Sequence, residues 1–503
     1  MADRDTIRFI LDGEIIELRQ VDPTQTILTY LRETLRRTGT KEGCAEGDCG
    51  ACTVVLADLY DDRVRFRAIN ACIQFVPTLD GKALITVESL RAPDGRLHPV
   101  QHAMVEAHAS QCGFCTPGFV MSLFALYKSE PPPSRHRLND VLAGNLCRCT
   151  GYRPMIAAAS AMYQNDAEEA ALPWMHQAFS STDAISPGEQ ELIEQLRALD
   201  RRDSLAIHGE RAYFAPATVD ELAVLIQREP QACLLAGGTD VGLWVTKQHQ
   251  ELERVIYLGE IESLRRVRIT DRELDIGAAV TLTDVYQPLT QYYPALGELL
   301  RRFASPPIRN VATLGGNIAN GSPIGDSMPA LIALDTRLIL RHGEQRREIA
   351  LEDFYLGYRH TALAPGEFVE RIRIPIHASD YQVRAYKIAK RFDQDISAVC
   401  GAYRLTLEDH VVRDIRICYG GMAAVPQRAY RCEQALMGGP WTEASVAMAM
   451  AQLDEDYTPL TDMRASEAYR RLVAKHLLQR FFLETSGRIA TTRLGDVSVS
   501  LPK

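Results

Sequence analysis

The chain has 503 residues, 46% of them hydrophobic and 24% charged, an ordinary make-up for a globular protein with room for three or four domains. A formal net charge of −9 argues against a nucleic-acid or anionic-membrane surface as partner. The amino terminus has no signal-like apolar run and no stretch has the length to span a bilayer, so a cytoplasmic location with reduced thiols is expected.

In chain order, Ile7 to Leu18 reads as a hairpin turning at Asp12-Gly13. Leu28, Leu31 and Leu35 recur at helical spacing, which predicts an amphipathic helix over 26–37. A cysteine loop follows, Cys44-Ala-Glu-Gly-Asp-Cys49-Gly-Ala-Cys52, then a strand at Thr53–Leu56, Cys72, and a second apolar run ending at Val87. The C-x4-C-x2-C spacing with a distant fourth cysteine is the plant-type 2Fe–2S signature. The small residues between the ligands let the backbone approach bridging sulfides and point N–H groups at them. A zinc loop is the alternative, although zinc usually takes paired C-x2–4-C knuckles.

From His98 the texture turns helical, with candidates at Val100–His108, Phe119–Tyr127, Leu138–Leu146 and Met155–Tyr163. Their loops carry Cys112 and Cys115, then Cys147 and Cys149, so eight of the twelve cysteines lie between residues 44 and 149. Taken alone, this second set suits iron–sulfur or zinc, and a reducing compartment argues against disulfides. Short helices bury little, so a bound metal group would staple the bundle. The remaining Cys233, Cys400, Cys418 and Cys432 stand in apolar contexts and read as core residues.

The tandem of Cys44, Cys49, Cys52 and Cys72 with Gln111-Cys-Gly-Phe-Cys-Thr-Pro-Gly118 and Asn145-Leu-Cys-Arg-Cys-Thr-Gly-Tyr152 resembles the iron–sulfur portion of the molybdenum hydroxylases, the xanthine dehydrogenase family. The resemblance implies a β-grasp 2Fe–2S ferredoxin domain over 1–90 and a four-helix 2Fe–2S bundle domain over 91–165. It places Gln111 and the Cys149 region against a pterin at a subunit boundary.

Residues 166–211, rich in Glu, Ala, Asp and Ser, read as a linker with a polar helix around Glu189–Leu199. Strands and helices then alternate. Val219–Gln227 reads as a helix and Cys233–Ala236 as a buried strand running into Gly237-Gly-Thr-Asp-Val-Gly242; Arg254–Leu258, Leu264–Ile269 and Leu274–Ala278 read as further strands. Consecutive glycines after a strand suit a pyrophosphate nest, though such turns are also common as plain structure, and the spacing is not the G-x-G-x-x-G fingerprint. A second turn lies at Thr313-Leu-Gly-Gly-Asn317, and the two together could cradle one diphosphate. Asp326 either accepts hydrogen bonds from hydroxyls or caps a helix beginning near Ser327. The last segment reads as strands at Tyr386–Ile388, Val399–Leu405 and Val412–Tyr419, then helices at Thr442–Leu453 and Ser466–Glu484.

The resemblance extends here. Leu234, Leu235, Ala236, Gly237, Gly238, Thr239, Asp240 and Val241, with Thr313, Leu314, Gly315, Gly316 and Asn317, are similar to two FAD-contacting loops of the same family, and it implies FAD contacts at Phe303, Asp326, Val369 and Lys387. Lys387 also fits a solvated strand end. The implied fold is α+β and multidomain, with a vanillyl-alcohol-oxidase-type α/β FAD domain over 212–380 and a C-terminal α+β flavoprotein domain over 381–490.

The resemblance implies the small, iron–sulfur/FAD part of a two-subunit bacterial enzyme. A large molybdenum-cofactor partner would carry the molybdopterin and the purine site, oxidising hypoxanthine and xanthine to urate. Electrons would pass through two 2Fe–2S clusters to FAD and on to NAD, in a dimer of heterodimers. Two other readings stand beside it: a self-contained NADH:acceptor reductase, or the same part of another molybdenum hydroxylase. A zinc-stapled binding protein with no redox role is a third.

Overall fold

A computed structural model describes residues 4–164, 172–181, 184–199, 203–376, 381–491 and 493–494. The chain divides into two compact units, Met1–Glu262 with Ser305–Ala312, and Ser263–Ala304 with Thr313–Lys503.

The first unit opens on a hairpin of β1 (Ile7–Leu11) and β2 (Glu14–Leu18), paired from Ile7↔Leu18 to Leu11↔Glu14. Asp12 and Gly13 both take positive φ, the twist that a two-residue hairpin turn needs. A helix α1 (Ile27–Thr29) begins where the Thr26 hydroxyl accepts the Thr29 N–H, widens into a π turn over Tyr30–Thr34, and ends there. It is shorter than the 26–37 pattern predicts, because the chain turns left-handed at Arg36. The strands β3 (Thr53–Tyr60), β4 (Arg63–Asn70) and β5 (Ala83–Ile85) complete a five-stranded sheet of order β2-β1-β5-β3-β4. Only its β1–β5 pair is parallel.

This sheet is apolar on both faces. Phe9, Leu11, Val54 and Leu56 pack with Ile27, Leu28 and Leu31. The alternate residues Ile10, Val55, Ala57 and Phe66 pack against a bundle of α2 (Pro99–Glu106), α3 (Thr116–Ser129), α4 (Arg135–Leu142) and α5 (Arg153–Ala161). Helix α3 is buried from Gly118 to Lys128, which is why its sequence is apolar all round.

The segment expected as a linker does more than connect. Its helix α6 (Pro187–Ala198) buries Ile193 and Leu196, and the Glu189 carboxylate receives Arg63 Nε and Nη2 at 2.8 and 3.0 Å. Strand β6 (Leu205–Ile207), also inside that segment, joins β7 (Ala212–Ala215), β9 (Arg254–Tyr257) and β8 (Cys233–Leu235) in the order β6-β7-β9-β8. The acidic stretch 165–170 lies outside the described residues. Helices α7 (Val219–Arg228) and α8 (Val241–Thr246) connect these strands, with Thr218 and Glu221 forming a capping box on α7.

The second unit holds a five-stranded antiparallel sheet, in order Val267–Ile269, Glu273–Gly277, Phe368–Pro375, Arg337–His342 and Gln345–Ala350. A four-stranded sheet of the same unit, Gln382–Ile388, Val399–Glu408, Val411–Gly420 and Gln427–Arg428, shares a core with the helices Tyr430–Leu436, Glu443–Asp456 and Glu467–Thr485. At its centre Tyr403 and Tyr419 bond each other at 2.7 Å, and Tyr419 donates to the Ala474 carbonyl at 2.7 Å. Cys400, Cys418 and Cys432 are buried as expected of core thiols, and Cys233 is half-buried. No helix among the described residues is long and apolar enough to cross a membrane.

The packing of α6 sets a test. Leu196→Ala removes a side chain that is 2% exposed and should lower stability by about 2–5 kcal/mol, where a tethering surface helix would lose no more than ~0.5 kcal/mol. Urea unfolding followed by circular dichroism distinguishes the two.

Candidate functional site

The four sulfurs of the first cysteine set meet. The Cys44 thiol is hydrogen-bonded to those of Cys49 and Cys72, and Cys72 to that of Cys52, so they form one chain. Backbone N–H groups of Cys49 and Glu46 point at Cys44 Sγ from 3.3 and 3.4 Å, and the Asn70 amide approaches Cys52 Sγ at 3.9 Å. Thiol donation by Cys49 and Cys72 holds Cys44 far below the usual thiol range, and donation by Cys72 lowers Cys52. The donors are pushed up in return, Cys49 by its bond to Cys44 and then burial, Cys72 by its bonds to Cys44 and Cys52. Gly50 is required in this loop: its φ is +68°, and a Cβ there would lie 2.1 Å from the Gly144 carbonyl.

The second set meets in two pairs. Cys112 and Cys149 have their sulfurs 3.5 Å apart and are exposed; Cys115 and Cys147 lie together as free thiols and are half-buried. Burial, with donation to Cys147, pushes Cys115 up to about 12. Cys147 is lowered despite its burial, chiefly by the Thr150 hydroxyl, 3.2 Å from its sulfur. The Asn145–Tyr152 motif builds this loop. Tyr152 starts α5 in a left-handed conformation, its hydroxyl accepts the Cys147 N–H at 2.9 Å, and its own N–H reaches Thr150 Oγ1. Gln111 is exposed beside Cys112.

Both sets therefore fit a thiolate-held group. Among the described residues no three His, Cys, Asp or Glu side chains are arranged to hold a single metal ion. The sulfurs instead meet as a linked row of four in the first set, with backbone N–H groups directed at Cys44, and as two pairs in the second, which suits a group with two metal positions.

Backbone contacts tie the sets together within the first unit. The Leu146 N–H, next to Cys147, donates to the Cys49 carbonyl at 2.9 Å. Beyond Cys72, Gln74 Nε2 donates to the Gly237 carbonyl at 2.8 Å, and Thr246 Oγ1 donates to the Ala45 carbonyl at 2.8 Å. The first glycine turn and the helix it opens thus lie against the two ends of the first cysteine set.

That turn runs from β8, which contains Leu234 and Leu235, through Ala236, Gly237, Gly238, Thr239 and Asp240 into α8 at Val241. The Gly242 N–H closes on the Gly238 carbonyl at 2.7 Å, and a Cβ on Gly237 would lie 2.1 Å from the Val311 carbonyl. In the second unit, Thr313 caps a short helix, Leu314–Ala319, by accepting the Gly316 N–H at 3.0 Å. Leu314 and Gly315 are buried, while Asn317 receives the Ser327 hydroxyl at 2.5 Å.

Asp326 precedes the helix Ser327–Ala333 but its side chain does not cap it. Its carboxylate instead receives Lys387 Nζ and Ser397 Oγ, each at 2.5 Å. Lys387 is not a solvated strand end: its side chain is 2% exposed. Arg302, the neighbour of half-buried Phe303, is itself buried and donates to the carbonyls of Lys387 and Phe392 at 2.9 and 3.0 Å. Val369 is buried in mid-sheet, paired with Leu340. Sequence reasoning missed Ser397, Gln74 and Arg302, whose contacts join residues far apart in the chain. Asn145 it quoted without a role.

The chain matches the family descriptions "2Fe-2S iron-sulfur cluster binding domain" over residues 9–76 and "[2Fe-2S] binding domain" over 86–160. It matches "FAD binding domain in molybdopterin dehydrogenase" over 206–377 and "CO dehydrogenase flavoprotein C-terminal domain" over 384–485. It is 34% identical to a xanthine dehydrogenase of Emericella nidulans, across 96% of this chain and 39% of that protein. It is 32% identical to aldehyde oxidase 1 of Bos taurus, across 97% and 40%. The chain thus spans about two-fifths of the length of these relatives. A solved carbon monoxide dehydrogenase chain from Hydrogenophaga pseudoflava aligns with a TM-score of 0.53 at 28% identity, over all of that chain and 56% of this one.

The Asp326–Lys387 pair makes a prediction of its own. Asp326→Ala leaves a buried ammonium unpaired and should lower stability by about 3–5 kcal/mol, whereas Asp326→Leu with Lys387→Met should recover most of the loss. Denaturant unfolding of both variants checks this.

Proposed function

The chain belongs to the molybdenum hydroxylase family, carrying its two 2Fe–2S domains, FAD-binding domain and flavoprotein C-terminal domain, and we propose that it is the iron–sulfur/flavin part of a xanthine dehydrogenase. On this reading it passes electrons from purine oxidation on a large molybdenum-cofactor partner to NAD, with two heterodimers associating. One observation carries the proposal. The second cysteine set meets the first through Leu146 and Cys49, and the first meets the glycine turn through Gln74 and Gly237. The order along that line is the order of the relay.

We assign Cys44, Cys49, Cys52 and Cys72 to one cluster, and Cys112, Cys115, Cys147 and Cys149 to the other. The glycine turns, with Phe303, Asp326, Val369 and Lys387, are assigned to FAD. When bound, these groups supply two one-electron carriers and a flavin able to exchange a hydride with a nicotinamide. The protein's own contribution is to hold them in fixed positions and keep water from the buried sulfurs. Cys52 and Cys72 are buried while Cys112 and Cys149 are exposed, so the second set faces outward, where a partner's cofactor would be reached. Gln111 lies on that exposed side and is assigned to the pterin contact.

Similarity to aldehyde oxidase 1 is almost as close, so the same relay would serve an aldehyde-oxidising partner. Turnover of the native complex with xanthine against aldehydes, with NAD as acceptor, separates the two.

Cys149→Ser should abolish one of two iron–sulfur signals in electron paramagnetic resonance of the reduced protein; survival of both would refute the ligand assignment. In the native complex, Gln111→Ala should slow cluster reduction by purine by about tenfold or more and leave flavin reduction by NADH intact, as stopped-flow absorbance would show. Equal loss of both reactions would count against the interface role.

A further inference from the structure

Asn145 stands two residues before Cys147 and is 2% exposed. Its Oδ1 accepts from Ser122 Oγ on α3 at 2.6 Å, and its Nδ2 donates to the Gly50 carbonyl at 3.0 Å and to Thr53 Oγ1 at 3.2 Å. Both its N–H groups and its oxygen are used, so the carboxamide has one orientation. Thr53 Oγ1 itself donates to the same Gly50 carbonyl at 2.7 Å. One residue on, the Leu146 N–H takes the neighbouring carbonyl, that of Cys49.

Two consecutive carbonyls of the first cysteine loop are therefore held by two consecutive residues leading into the second. There is no slack in the joint. A Cβ on Gly118, in α3, would lie 2.1 Å from the Gly50 carbonyl, so backbone lies directly on backbone. A buried amide needs partners, but a single partner would satisfy a core requirement. This one is fully engaged and bridges the two sulfur-bearing loops to the helix behind them.

We propose that Asn145 is a positioning residue that fixes the separation of the two iron–sulfur sites and thereby sets the rate of electron transfer between them. The proposal rests on the reading above that both cysteine sets hold 2Fe–2S clusters. Transfer between two such carriers falls steeply with distance, and a site held loosely by a fraction of an ångström loses function without losing its ligands.

The test uses the complete cofactor-loaded protein, reduced with dithionite for the magnetic measurement and oxidised at the start of the radiolysis measurement. The magnetic splitting between the two paramagnetic clusters reports their separation, and pulse radiolysis reports transfer between them. Asn145→Asp keeps the shape and the Ser122 contact but loses both donors. It should retain both iron signals at full intensity, change the splitting, and slow transfer by about tenfold. Ser122→Ala, which leaves both donors in place, should keep the wild-type splitting and rate. Wild-type splitting and rate in Asn145→Asp would overturn the proposal, even if its melting temperature fell. An equal change in Ser122→Ala would also overturn it, since the effect would then be general packing. If Asn145→Asp fails to retain iron, Thr53→Val, which removes one acceptor of the same amide, is read by the same criteria. A wild-type protein without iron signals would sink the cluster assignment itself, whereas normal signals with unaltered splitting sink only the role of Asn145.

Discussion

Thiols packed this closely cannot all ionise unless positive charge stands among them. In the first cysteine set, Cys44 and Cys52 are driven towards the anion by the same contacts that keep Cys49 and Cys72 protonated. The second set repeats the pattern nearer the surface, with Cys112 and Cys147 lowered and Cys115 and Cys149 raised. A metal group held by these cysteines would supply the positive charge that lets all four sulfurs in a set ionise. Much of the first unit serves to hold the sulfurs in that demanding arrangement, from the close approach at Gly50 to the Tyr152 hydroxyl on the Cys147 amide.

The second unit handles charge differently. Asp326, Lys387 and Ser397 make a compact buried group, and Arg302 takes the carbonyls of Lys387 and Phe392 beside it. Buried ion pairs contribute little net stability, so their retention points to orientation of the groups and of the chain segments that carry them. Asp326 lies at the start of one helix, and Lys387 and Ser397 flank the loop between two strands. A single carboxylate thus fixes where three pieces of chain meet.

How legible this was depended on range. Cysteine spacing is local, so the grouping of the eight cysteines into two sets was readable, as were the hairpin at Asp12-Gly13 and the alternation of strands and helices after 212. The 26–37 helix was read too long because the leucine period runs to Leu35, just beyond the last helical residue Thr34, and nothing in it foretells the left-handed turn at Arg36. The polar helix α6 looked like a surface tether, yet Ile193 and Leu196 give it a buried face and Glu189 finds Arg63, 126 residues away. Asp326 was weighed as a cap and Lys387 as a solvated end because nothing local shows that they pair. Polar groups that find each other across the fold leave no periodic trace.

The central strands of the amino-terminal sheet, β1, β5 and β3, are covered on both faces. Along β3, Val54 and Leu56 belong to one interior while Val55 and Ala57 belong to another. Adjacent positions thus answer to different neighbours, and a substitution at either is felt on one side only. It follows that the first 90 residues would make a poor stand-alone ferredoxin. Cut free, they would bare a whole apolar wall and clump, so this carrier must be inherited and exchanged together with its helical companion.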